Sequence, residues 1–126
     1  MSRVQPGFII LRLGLAAVFL WFGFSQLVDG ISWVGWVPGW AVEFLHLPPA
    51  MIVLGNGGVE VVLGALLAMG IWTRWAALLL ALHLAVITFD IGLSAIGVRD
   101  FGLTVATLAL VFLVEDFREE DQTSEV

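Results

Sequence analysis

The chain has 126 residues, 60% of them hydrophobic and 13% charged, and a mean hydropathy of +1.04. A soluble domain is about 45–50% apolar and about 25% charged, so the composition excludes an ordinary soluble fold and a disordered chain alike. The formal charge of −6 gathers at one end: residues 115–126 hold six acids and Arg118, and the other 114 residues hold five acids and four arginines. Five arginines and no lysine leave no basic surface for nucleic acid. The chain has no cysteine, which excludes thiolate metal sites and dithiol exchange carried by its own residues.

About 20 residues, at about 1.5 Å each, cross a hydrocarbon core of about 30 Å. Four segments reach that length, at about residues 7–28, 50–71, 74–93 and 99–117. Stretches such as LRLGLAAVFLWFGF and RWAALLLALHLAVITF are apolar nearly all round, which a surface helix of a soluble bundle is not. The pattern predicts an all-α fold, an integral membrane four-helix bundle over residues 1–117. Residues 118–126 are predicted to be an acidic, disordered tail in the cytoplasm.

The links between spans differ. Gly70 to Arg74 is short and forces an antiparallel hairpin, as does the stretch from Ser94 to Val98. The link from Asp29 to Pro49 is long, is punctuated by Pro38, Gly39, Pro48 and Pro49, and carries Trp33, Trp36 and Trp40. A spacing of three and four puts those rings on one helical face, and tryptophan favours the lipid–water interface. The segment reads as an interfacial, Trp-rich piece that shields the mouth of the bundle; the rival reading is a lid over a cavity. His46 falls in this loop and reads as interfacial. Arg3, Arg12, Arg74 and Arg118 gather at one end, so the positive-inside rule places both termini in the cytoplasm.

Charges at bilayer depth are costly and face protein or water. Glu60 has Gly57 three residues before it and Gly64 four after, so all three share a face. Small residues mark close helix contact in membranes, which turns Glu60 inward, near the midplane. His83 lies at similar depth, with Asp90 on the same face nearer the outer surface. Arg12 and Gln26 share a stripe with Gly23 on the first span. Asp100, Thr104 and Thr107 line one face of the last. The expected partners are Arg99 for Asp90 across the short link, and Arg12 or His83 for Glu60; the alternative is a protonated, neutral Glu60. Arg12, Gln26, Glu60, His83, Asp90, Arg99 and Asp100 are thus the candidate intramembrane polar site. No catalytic motif, P-loop or dinucleotide fingerprint is present, and two histidines 37 residues apart make no metal or haem site.

Four of these stretches resemble the DoxX family of membrane proteins. LRLGLAAVFLWFGFSQL is similar to its first span, GGVEVVLGALLAMG to its G-x-x-E-x-x-x-G span, GIWTR to its G-x-x-T-R link, and VRDFGL to the R-D-x-x-L start of its last helix. The resemblance covers about residues 8–114, and the matching positions are Arg12, Gly23, Glu60, Gly64, Arg74, Arg99 and Asp100. Gln26 departs from the family's usual lysine, which removes a cation from the outer cluster. The resemblance implies a multi-pass protein of the cell membrane of a bacterium or archaeon, associated with redox functions. Some relatives resemble membrane subunits of a thiosulfate:quinone oxidoreductase; others act with thiol and superoxide defence proteins. The expected function is therefore a redox-associated, quinone-linked membrane subunit or an anchor for a partner oxidoreductase. A quinone is the candidate cofactor, and the bilayer, an oxidoreductase or further copies of the chain are the candidate partners. The alternatives are a structural or assembly protein and a small proton-coupled carrier acting as an oligomer.

Overall fold

A computed structural model describes residues 3–124, and side chains over residues 3–114. Its elements are α1 (Val4–Val28), a 3₁₀ helix (Gly30–Trp36), α2 (Gly39–Leu45), α3 (Pro49–Met69), α4 (Thr73–Ile91) and α5 (Ala95–Ser124). Among the described residues, α1, α3, α4 and the Ala95–Val114 part of α5 are long and apolar enough to cross a membrane. The all-α bundle expected from the sequence is what forms.

Local chemistry sets the ends. Pro49 opens α3 at its first turn, where a missing N–H costs nothing. Gly70 closes it in the left-handed region at φ 73°, with the Ile71 N–H on Leu66 O at 3.0 Å and the Gly70 N–H on Leu67 O at 3.3 Å. α5 starts at Ala95, four residues before the expected span. Ser94 caps it, its hydroxyl oxygen accepting the Gly97 N–H at 3.0 Å, so most of the expected link is the helix's first turn. α5 also runs on through Ser124, so residues 118–124 of the expected tail fall within the range of this helix. Glu, Arg and Gln continue a helix readily, and no Gly or Pro interrupts. Glu125 and Val126 of that tail lie outside the described residues.

The four spans alternate in direction. α1 packs most closely on α3, and α4 on α5; α3 with α4 and α1 with α5 make the looser contacts that close the bundle. The short link after α3 thus sets the direction of α4 without making it the nearest neighbour of α3. The core fills the half of the bundle where α1 and α5's apolar stretch meet the α3–α4 turn. Leu15, Phe19, Leu67, Ala77, Leu80 and Leu110 are buried there. Outside, Ile10, Trp21, Val62, Leu82 and Phe112 are exposed, an apolar belt suited to lipid. The opposite half is covered by residues 30–45 and is not filled.

Candidate functional site

The polar cluster depends first on two glycines. A Cβ on Gly23 would stand 2.9 Å from Gly57 O, and a Cβ on Gly57 would stand 2.9 Å from Gly23 O. Only glycine lets α1 and α3 approach this closely, the small-residue contact typical of membrane helices. Gln26 and Glu60 each follow their glycine by three residues, so the same approach sets them face to face.

Gln26 Nε2 donates to Glu60 Oε2 at 3.1 Å and to Phe22 O at 3.2 Å. Asn56 Nδ2 donates to Gln26 Oε1 at 2.6 Å and to Glu60 Oε1 at 3.3 Å. From α4, His83 Nε2 comes within 3.4 Å of Glu60 Oε1. That approach falls short of a hydrogen bond, and among the described residues the buried Nε2 has no other partner. Glu60 is 6% exposed at its side chain and His83 is 25% exposed. The buried carboxylate is therefore gripped by two amides, and the imidazole edge beside it stays open.

Above this floor lies a cavity of about 710 Å³, within the size range of small-molecule sites. Phe22, Trp33, Trp36, Trp40, Phe44 and Leu84 wall it; Gln26, Asn56, Glu60 and His83 form its polar floor; Asp90, Arg99 and Asp100 line the rest. The tryptophan segment is not one continuous helix, because Pro38 divides it into the 3₁₀ helix and α2. Two indole N–H groups pin it: Trp33 Nε1 donates to Ser25 Oγ at 3.1 Å, and Trp40 Nε1 to Asp90 Oδ1 at 3.0 Å. The segment thus roofs the cavity, which joins the shielding and lid readings in one element. Trp36 stays more than half exposed.

Two expected pairings are corrected. Arg99 does not meet Asp90. Its Nη2 and Nε lie 3.3 and 3.4 Å from Asp100 Oδ1, and its Cζ sits 5.8 Å over the Phe22 ring. The early start of α5 places Arg99 in its second turn, and Asp90 has turned to the roof. Arg12 does not reach Glu60 either. Its Nη1 donates to Leu67 O at 2.8 Å and Ala68 O at 3.3 Å, placing a cation on the C-terminus of α3. His83, the other expected partner of Glu60, is the one that arrives.

Of the seven candidates, Gln26, Glu60, His83, Asp90, Arg99 and Asp100 line one cavity, and Arg12 does not. The sequence pattern left Asn56 outside the seven candidates, although its amide completes the floor. It also missed the roof contacts of Trp33 and Trp40, whose signal was an indole N–H in an apolar stretch that must find an acceptor. Thr104 and Thr107 donate to the i−4 carbonyls of Asp100 and Leu103, and Thr104 comes within 3.4 Å of the Thr88 hydroxyl across α4 and α5. Among the described residues, no group of three His, Cys, Asp or Glu could hold a metal ion.

No curated protein and no solved structure matches the chain. The DoxX family profile matches residues 7–93, which takes in nearly all of α1 and everything from there through α4, including Gln26, Asn56, Glu60, His83 and Asp90. Arg99 and Asp100 lie beyond the match. A match over more than half of the chain, on a four-span helical bundle with Glu60 turned inward, makes this protein a member of the DoxX family.

Proposed function

We propose that this protein is a redox-associated membrane subunit that holds the ring of a quinone in its cavity and anchors a partner oxidoreductase. The observation that carries the reading is an aromatic-walled space of about 710 Å³ within the spans, with Glu60 and His83 on its floor. Flat rings pack well on aromatic faces. Quinone reduction takes up two protons with two electrons, and midplane ionisable groups are suited to pass protons. The chain has no cysteine, so in this reading the partner supplies the electrons and Glu60 and His83 serve the protons. The termini face the cytoplasm of a bacterial or archaeal cell, with Arg3, Arg12 and Arg74 on that side.

The test is tryptophan fluorescence of the protein in lipid nanodiscs, titrated under anaerobic conditions with a short-chain benzohydroquinone, the reduced form of the ring. Saturable quenching is expected, weakened in Glu60→Gln and His83→Ala. Quenching no greater than in a tryptophan-peptide control removes the site, and equal binding by the variants removes those two residues from it.

The hydrogen-bonded closure of Gln26, Asn56 and Glu60 also favours a structural role, in which the cluster only fixes how α1 pairs with α3. That reading predicts that Glu60→Gln lowers stability and leaves this quenching unchanged.

A further inference from the structure

The geometry points to His83 as the group that selects the ligand: we infer that its Nδ1 accepts a hydrogen bond from a ring hydroxyl, so that the cavity prefers hydroxylated rings over their oxidised or methylated counterparts. The inference rests on the cavity reading above and specifies the class of ring it takes.

Both carboxyl oxygens of Glu60 are engaged as acceptors. Its Oε2 takes the Gln26 N–H and its Oε1 the Asn56 N–H, and the Gln26 amide is itself fixed by Phe22 O and by Asn56. Oε1 is also the atom that His83 Nε2 approaches, at 3.4 Å. A nitrogen facing an acceptor carries the ring hydrogen, and in a neutral imidazole the other nitrogen is then a bare acceptor. Nε2 is fully buried although the His83 side chain is 25% exposed. The accessible part of the ring therefore lies on its other side, where His83 lines the cavity. Among the described residues Nδ1 has no hydrogen-bond partner, and it is not a buried atom. A ligand hydroxyl would satisfy Nδ1 and draw the imidazole onto Glu60, since such contacts tighten when a site is filled. A carbonyl or methoxy oxygen in the same place offers no hydrogen and sets acceptor against acceptor. Glu60 acts here as a positioning residue, through the hydrogen on Nε2.

The experiment is calorimetry on the full chain in nanodiscs, corrected with empty nanodiscs, using 2-naphthol and 2-methoxynaphthalene as redox-inert probes. One hydrogen bond predicts a preference for 2-naphthol of about tenfold. His83→Phe should bring the two affinities within about twofold of each other by weakening 2-naphthol alone, and His83→Gln, which keeps an acceptor, should restore part of the difference. Glu60→Gln should shrink the ratio while leaving 2-methoxynaphthalene unaffected, whereas a purely structural loss would lower both. Equal affinities in the wild type, or a preference that survives His83→Phe, would overturn the inference and leave the cavity reading standing. Binding of neither probe would remove both.

Should His83→Phe not fold, ¹⁵N spectroscopy of His46→Asn protein, with His83 its one remaining histidine, decides the matter. Asn is the replacement because His46 sits at φ 55°, a conformation Asn tolerates. A bare Nδ1 and a protonated Nε2 are expected; a hydrogen on Nδ1 would overturn the assignment.

Discussion

Adding one methyl group at Gly23 tests whether the contact between α1 and α3 holds the polar cluster together. In Gly23→Ala the new Cβ would lie 2.7 Å from Val61 Cγ2 and 2.9 Å from both Gly57 O and Val61 N. The valine methyl can rotate away, but the two backbone atoms cannot. Ordinary contact begins at 3.4 Å, so the helices must part by about half an ångström. The Gln26–Glu60 bond, at 3.1 Å, would then stretch to about 3.6 Å, past hydrogen-bonding length. Overpacking costs about 1–3 kcal/mol, and weakening a buried polar pair adds about 1 kcal/mol. The expected loss is therefore about 2–4 kcal/mol, read from SDS-induced unfolding in mixed micelles by tryptophan fluorescence. Gly58→Ala is the control, because nothing lies within 4 Å of its Cβ. That change should be neutral or stabilise by up to about 1 kcal/mol, as Ala favours helix over Gly. Unfolding curves that coincide for the two variants would show that the close approach at Gly23 does not hold α1 against α3.

Arg12→Gln should cost about 1.5–3 kcal/mol in the same assay, since its guanidinium serves Leu67 O and Ala68 O; Arg12→Lys should fall between, because it keeps the charge and loses the planar fork. Trp40→Phe removes the indole N–H held by Asp90, so hydrogen exchange over residues 39–45 should quicken while α1 and α3 keep their protection. An unchanged rate there would show that the bond does not pin the roof. Thr107→Val should change stability by less than about 1 kcal/mol although Thr107 is fully buried, because among the described residues its hydroxyl serves only the Leu103 carbonyl one turn back. A loss of several kcal/mol would mean that the hydroxyl has a partner on another helix.

The spans and the inward face of Glu60 were legible in the chain because both rest on local periodicity. Runs of about 20 apolar residues have one economical solution in a bilayer, and Gly57, Glu60 and Gly64 share a face whatever they pack against. Gln26 was legible in the same way, through its stripe with Gly23. Partner choice was not legible, because it depends on the register between helices. Arg12 and Glu60 sit on facing stripes, yet α3 ends at Gly70 beside Arg12 and offers it carbonyls instead. Asp90 and Arg99 are nine residues apart, but Ser94 starts α5 early and carries Arg99 round to Phe22. The Trp40–Asp90 bond spans 50 residues and depends on how Pro38 folds the segment back over the bundle. Local pattern thus identified the groups, and tertiary register decided which of them share the cavity.

The most direct test of the cavity as a ring-binding site is photo-crosslinking in nanodiscs with a diazirine-bearing benzoquinone, the adducts located by mass spectrometry. A ring held in the cavity gives adducts concentrated on Trp33, His83 and Leu84, abolished by excess unlabelled benzoquinone. Adducts confined to lipid-facing residues such as Ile10, Leu82 and Phe112, and unaffected by that competitor, would contradict it.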